Sequence, residues 1–483
     1  LPAFSSGTLT VDKSGNETGY ILYTAPPGRS AIIDGGRNDL FNILVAENTH
    51  HIILRGLTLR NAARHGIRIS DFCHDIVIEE CDISAWGDVD SSGYGVNLNA
   101  AVSAAYRSDN IERLVIQNNR IHHPFGDANS WGEPRPNADG DPYHPQGPYG
   151  LVFYDTKGNH VIRNNVFETD EEHYFADHLG AGSNISFGGF PNRDSDIYGN
   201  TFQRCWDDAV ESEGANENVR IWGNYFDHVY HPIGAIVTSV GPLYVWRNIV
   251  AQSRKFGHLP NSDDYGRGEF IKCGGVWQDG IRYGDGRMYV YHNTLLQPDA
   301  PGNLLSLGCE GALIGEGKSL YNVVTRNNIF TNYKSDSYTF RDNPDSDADC
   351  GRNDFDFDMY TGRIKETCSE IEYEQHGIYL ESNDLIVFDP INQDQSYALL
   401  PGSPGFDAGL LLPNFNDDFR GAAPDMGAVE SQLDTGISDI HLTSPQTIRL
   451  LHNFPNPFNT LTKIKFLSVD AFLSTLVIYN VTG

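Results

Sequence analysis

The sequence predicts an all-β solenoid, a parallel β-helix, on three observations. Short alternating apolar segments recur, among them "VRIWGNYF" at 219–226 and "LYVWRNIV" at 243–250. An Asn returns at one slot of the pattern, at Asn119, Asn165, Asn200, Asn224, Asn248, Asn293 and Asn328, with Leu57 and Cys81 in the same slot earlier. The shortest intervals, Leu57 to Cys81, Asn200 to Asn224 and Asn224 to Asn248, are each 24 residues. A period of that size built from short strands marks stacked coils. A propeller blade needs about 40 residues, and an antiparallel sandwich would not return one turn residue so regularly.

Within a coil, period-two alternation turns Val219 and Ile221 inward and Arg220 and Trp222 outward. Asn suits the turn because it tolerates a left-handed conformation and its amide can bond to the Asn of the next coil. The same pattern reads in "LRGLTLRN" (54–61), "VIEECDIS" (77–84), "VIQNNRIHH" (115–123) and "VTRNNIFT" (324–331). Two insertions interrupt it: 125–150, with Trp131, Tyr143 and His144, and 169–192, with His173, Tyr174, Asp177 and His178. From Thr331 to Asn383 it lapses into a polar stretch, expected to form loops or irregular coils. The expected organisation is a β-helix with inserted loops over 1–385, a closing segment over 386–432, a linker over 433–447 and a separate piece over 448–483.

Composition narrows the partners. With 64 Asp+Glu against 34 Lys+Arg, the formal net charge is -30. Such a field repels nucleic acid and anionic membranes, and it disfavours polyanionic substrates unless a cation or basic patch intervenes. No apolar run approaches the ~20 residues of a membrane span. The seven cysteines contain no CxxC, so neither a zinc ribbon nor a redox motif is indicated. Cys350 and Cys368 flank one polar loop and can pair if the protein is exported; the other thiols read as small buried residues. No Ser-His-Asp elbow, P-loop or dinucleotide fingerprint occurs.

The densest chemistry lies in "CWDDAVESEG" (205–214). Val210 and Ser212 are expected inward, Asp207, Glu211 and Glu213 outward, and Asp208 at the strand's entrance. Two reactions use such a cluster. Glycoside hydrolysis needs one protonated and one ionised carboxyl, and crowding of like charge raises one pKa. A lyase on uronate polymers uses carboxylates to hold Ca²⁺ while a Lys, Arg or His takes the proton. His231 lies 17 residues before Asn248, as Asp207 lies 17 before Asn224, so equal coils place the two side by side. Lys272, in "GEFIKCGG", is a candidate base or carboxylate clamp. Glu213 and Trp206, with His173, Tyr174 and His178 of the insertion, are candidate sugar contacts, since rings stack on sugar faces, loops wall grooves and an outward acid can meet hydroxyls.

The segments "GNHVIRNNVF", "DSDIYGNTFQRCWDDAVESEGANENVRIWGNYFD" and "VGPLYVWRN" resemble the right-handed parallel β-helix repeat proteins of secreted bacterial polysaccharide-degrading systems, pectate-lyase-like and polygalacturonase-like, over roughly residues 10–430. The paired Asp of "WDDAV" is similar to that of the polygalacturonase-like hydrolases, but their His-Gly and Arg-Lys motifs are not found at comparable positions, and the Lys and Arg pattern of alginate and chondroitin lyases is not reproduced. The resemblance implies an extracellular or surface-held carbohydrate-active enzyme with a polysaccharide as partner. Hydrolysis is slightly favoured, with Asp207, Asp208 and Glu211 as acid, base or nucleophile and no cofactor required. If the enzyme is a lyase, Asp207, Asp208 and Glu211 hold Ca²⁺ and Lys272 or His231 is the base. A non-catalytic carbohydrate-binding or adhesive solenoid is the third reading. "FDAGLLLPNFNDDFRGAAPDMGAVE" (406–430) resembles the segment that covers the last coil of such proteins, which points to a monomer. "LLHNFPNPFNTLTKIKFLS" resembles the C-terminal sorting domain read by type IX secretion systems, through Asn453, Pro455, Asn456, Pro457, Phe458 and Asn459. It implies the secretion machinery as a partner and a partial β sorting domain, since the sequence stops at "VIYNVTG"; Leu1 opens close to the first coil, so truncation is expected at the N-terminus too.

Overall fold

Strands from successive coils pair in parallel and in register, as the repeat requires. The computed structural model describes residues 7–104, 110–130, 146–253, 269–296, 313–314, 320–331, 338–341, 352–365, 372–381 and 397–431, apart from 171 and 181, together with strands at 449–450 and 466–467. Each coil lays down up to three strands, so the stack has three faces. The first face is a sheet whose 11 described strands run from Ile21–Thr24 to Asp354–Phe355 and include Val219–Trp222. The second and third faces share one 22-stranded sheet, because Thr201–Glu211 and Tyr225–Ala235 turn the corner between them without a break.

The alternation is realised as expected. Val219, Ile221, Leu243 and Val245 are fully buried, while Arg220 and Trp222 are half-buried on the outside. Like residues stack through the core, with the rings of Phe167, Phe202 and Phe226 5.1 and 5.2 Å apart. Each fully buried side chain of this kind contributes about 1.5–3 kcal/mol. Tyr198, Trp222 and Trp246 stack likewise on the outer side, at 4.3 and 5.3 Å.

The turn asparagines form a continuous ladder. Asn119 donates to Asn165, Asn165 to Asn200, Asn200 to Asn224, Asn224 to Asn248, Asn248 to Asn293 and Asn293 to Asn328, each amide Nδ2 lying 2.9–3.0 Å from the next Oδ1. Cys81 begins the row through its backbone N–H to Asn119 Oδ1, and Asp358 ends it as acceptor for Asn328. One expectation is corrected: the left-handed residue is the one before each ladder Asn. Asn118, Asn164, Gly199, Gly223, Arg247, His292 and Asn327 all have φ between 52° and 64°. The corner requires positive φ there, and this frees the next residue to point its amide inward along the stack.

The stretch after Thr331 continues the stack. Tyr338–Arg341, Met359–Tyr360, Arg363–Lys365 and Ile378–Tyr379 pair with the coils before them. The closing segment reaches beyond the last coil and runs back over several flanks: Phe415 meets Trp246 edge-on at 5.6 Å, Asp418 accepts from Arg247 at 2.8 Å, and Ala428 N–H donates to Thr294. Cys73, Cys81, Cys205 and Cys273 are buried free thiols. Cys309, Cys350, Cys368, Trp131, Tyr143, His144 and the 453–459 motif lie outside the described residues. The chain divides into two compact units, Leu1–Ser431 and Gln432–Gly483; in the second, Arg449–Leu450 pairs antiparallel with Phe466–Leu467. Among the described residues no helix is long and apolar enough to cross a membrane.

Candidate active site

At the corner of the second and third faces the register slips. Cys205 pairs with Val229, but the next pairing is Asp208 with His231, so one strand spends three residues where its neighbour spends two. This is a β-bulge, which re-aims side chains at a sheet corner. Its consequence corrects the expected neighbour: Asp208, not Asp207, stands opposite His231. Asp207 still approaches, its Oδ1 3.5 Å from His231 Nδ1.

Two polar rows result. The first is Asp208, His231 and Glu269, exposed by 1%, 2% and 3%. His231 Nδ1 lies 3.1 Å from Asp208 Oδ1, and Nε2 lies 2.9 Å from Glu269 Oε2. Burial alone would lower the His231 pKa, but Asp207, Asp208 and Glu269 outweigh it and hold the ring well above the usual range. The second row is Gly180, Glu211, Gly234 and Lys272, set by the pairings Leu179 with Val210, Glu211 with Gly234, and Gly234 with Lys272. The glycines make room: a methyl group on Gly234 would collide with the Asp208 carboxylate, and one on Gly180 with that of Glu211. Through that gap Lys272 Nζ donates to Asp208 Oδ2 at 2.6 Å and lies 3.5 Å from Glu213. Burial disfavours its charge, yet Asp208, Glu213, Asp207 and Glu211 together keep the ammonium well above its ordinary pKa.

The carboxylates strain against one another. Asp177, buried, accepts the Asp208 backbone N–H at 2.8 Å. Burial, then the charges of Asp207, Glu211 and Asp208, push its carboxyl well above the usual range. Glu211 is pushed up to about 7 by burial and by Asp208, with Lys272 opposing, and accepts from Asn184 at 2.9 Å. Six carboxyl groups, Asp177, Asp207, Asp208, Glu211, Glu213 and Glu269, thus crowd two cationic side chains, His231 and Lys272.

Asp207, Asp208, Glu211, His231 and Lys272 therefore come together. The proposed sugar contacts divide. Trp206, half-buried, packs on the buried Tyr174 ring at 4.5 Å. Glu213 faces inward, against expectation: after Glu211 the chain turns at Ser212 and pairs antiparallel with Phe190, so the carboxylate accepts Ile236 N–H beside Lys272. His178 is a core residue, fully buried among Phe167, Phe175 and Phe202, donating to Gln203 O; burial pushes its pKa down to about 3. His173 sits at the surface with Asp170 and His123, because the insertion folds back on its own start through Thr169.

Asp177, Glu269 and Asn184 had no role assigned from the sequence. Glu269 carried a signal: it shares parity with Ile271 and Cys273, and an inward acid must find a partner. Asp177 and Asn184 lie in an aperiodic insertion, where parity says nothing.

A cation would find donors here. Single ligand atoms of Asp207, Asp208 and His231 lie within 4.8 Å of one another. A second cluster, His51, His74 and Asp75, fits a metal poorly, because the Arg113 guanidinium grips both Asp75 oxygens at 2.9 Å and lies 3.2 Å from His74 Nδ1.

Residues 42–250 match the family described as the right handed beta helix region. With the coil pairing above, this makes the fold a right-handed parallel β-helix. Among solved structures, the chain is similar to pectate lyase Pel9A, at 12% identity over 89% of this chain and 85% of that one, with a TM-score of 0.42. It is also similar to the alginate lyase from Paenibacillus sp. strain FPU-7, at 12% identity over 77% and 88%, with a TM-score of 0.35. No curated protein matches the sequence.

Proposed function

We propose that this chain is an extracellular polysaccharide lyase that cleaves a uronate polymer by β-elimination, with Lys272 as base and Ca²⁺ as cofactor. The observation that carries the reading is the excess of carboxylate at one place on the solenoid: the buried Asp177 and Asp208 and the half-buried Asp207 and Glu211 crowd one another, and Lys272 binds Asp208. Buried like charges are costly unless a cation or a proton offsets them. Those four acids offer the hard oxygen donors that Ca²⁺ takes. When bound, Ca²⁺ offsets the substrate carboxylate and the charge that builds on it. A uronate polymer then becomes compatible with a protein of net charge -30.

The chain's own residues supply the rest. A cation held by the acids would offset the charges that keep the Lys272 ammonium protonated, leaving burial to favour the neutral amine. Nζ then takes the proton from the carbon next to the uronate carboxyl. The electron pair left behind forms a C=C bond to the neighbouring carbon, whose bond to the glycosidic oxygen breaks; that oxygen takes a proton from water. His231, fixed by Glu269, steadies Asp208 beside the lysine.

Hydrolysis is the second reading, favoured by Glu211, whose pKa of about 7 suits a general acid near neutrality, with Asp207 as the second carboxyl. A panel of neutral and uronate-rich polysaccharides, assayed with and without a Ca²⁺ chelator, separates them. The lyase predicts reducing ends and unsaturated-uronate absorbance rising together and falling on chelation. Reducing ends without the chromophore establish the hydrolase, and neither signal leaves a binding or adhesive solenoid.

A further inference from the structure

Two elements leave the third face at the ends of their strands and flank the site. The loop 182–190 follows Gly180 and carries Asn184, whose amide holds Glu211. It is pinned at Ser183 by Asp155 and at Gly189–Phe190 by antiparallel pairing with Glu213–Gly214. The hairpin of Val276–Gln278 and Ile281–Tyr283 follows Lys272 and Cys273. Gly180 and Lys272 are three strand spacings apart, about 14 Å. Yet the rings of Phe187, in the loop, and Tyr283, in the hairpin, lie 4.9 Å apart. The two elements therefore meet alongside the row Gly180, Glu211, Gly234, Lys272 and wall one edge of it.

That wall is apolar where it meets water. Phe187 is 55% exposed, and Ile281, on the same hairpin face as Tyr283, is 47% exposed. Hairpin pairing puts Trp277 and Arg282 on the opposite face, where Arg282 packs over Tyr321 at 4.4 Å. The same two elements bring polar groups: the loop of Phe187 carries Asn184, which holds Glu211, and the hairpin of Tyr283 follows Lys272 in the chain. A sugar ring matches that mixture, with a C–H face for the aromatic side and hydroxyl or carboxylate groups for the polar side. We infer that Phe187 and Tyr283 form a platform on which one sugar ring of the polymer stacks, next to the ring that meets Lys272. The polymer's identity as a polyuronate rests on the lyase reading; the platform rests on the wall.

The test uses the full chain and a length series of oligogalacturonates and oligomannuronates. Phe187→Ala is expected to raise KM about tenfold, with kcat changed less than about twofold, and Phe187→Trp to restore it. Tyr283→Ala, from the other side of the wall, gives the same shift and covers the case in which Phe187→Ala misfolds. In parallel, calorimetry on Lys272→Ala, with and without Phe187→Ala, reads binding without turnover. Cleavage with an unchanged KM in both wall variants overturns the platform and leaves the lyase standing. Binding that depends on Phe187 without any unsaturated product does the reverse, and no binding by the parent chain to either series overturns the platform together with the polyuronate.

Discussion

The asparagine ladder and the carboxylate rows are both stacks of buried polar side chains set by the same coil spacing, but they balance their charge differently. In the ladder, each backbone N–H and each Nδ2 meets the Oδ1 of the following coil at 2.8–3.1 Å, and a second amide hydrogen goes to a strand carbonyl, as from Asn224 to Ile197 O. Dipoles repeat there without accumulating charge. In the rows at the site, His231 stands between Asp208 and Glu269, and Lys272 shares its row with Glu211, yet carboxyls outnumber cations around them, and burial with crowding raises the pKa values of Glu211 and Asp177. Stacking polar groups at this spacing is stabilising for neutral amides and costly for like charges, so the charged rows point to chemistry rather than to the fold.

Breaking each row should therefore have opposite effects. Lys272→Ala is expected to lower turnover by about 10³-fold or more, and Asp208→Asn by a similar factor, with the circular dichroism and urea midpoint of Asp208→Asn held, since one charge leaves a crowded cluster. A collapse of the midpoint with Asp208→Asn would make that row structural. Asn224→Ala should do the converse. It deprives the Asn200 N–H and amide of their acceptor at once, so the unfolding free energy read from urea titration should fall by about 3 kcal/mol, while turnover per folded molecule is unchanged. A smaller effect sharpens the contrast from outside both rows. His160 and His292 are buried and neutral, with pKa values pushed by burial down to about 3 and about 4. Below pH 6.5 the unfolded chain binds protons that these rings refuse, so stability falls as pH falls, by up to about 1.4 kcal/mol per pH unit for each ring. Urea titrations of His160→Gln and His292→Gln across that window should show a shallower acid slope.

The sequence revealed the ladder far better than the site. Seven asparagines at one slot disclosed coil, turn and stacking, because a repeated constraint leaves a repeated residue. The identity of the left-handed residue was less legible, since Asn, Gly, Arg and His all fill it. At the site, Asp207, Asp208, Glu211, His231 and Lys272 stood out by density and type, but their pairing did not: the bulge at Trp206 and Asp207 leaves no compositional mark. His178 misled because a histidine in a loop reads as polar, while the rings that bury it, Phe167 and Phe175 earlier in its own coil and Phe202 in the next, meet only once the coil closes.

That bulge also has a consequence for timing along the chain. Glu211 pairs with Gly234, 23 positions on, whereas Asn200 meets Asn224 and Gly214 meets Thr238, each 24 positions on. The slip entered before Asp208 is undone before Gly214, so the residues between form a short arc one step out of phase, inside a coil of unaltered length. The next pairing slips in its own way, with Asp227 opposite Gln252 between Phe226–Val250 and Val229–Ser253, so the irregularity of this corner is confined to short arcs, and the arc from Asp208 to Glu213 is the one that holds the acids of the site.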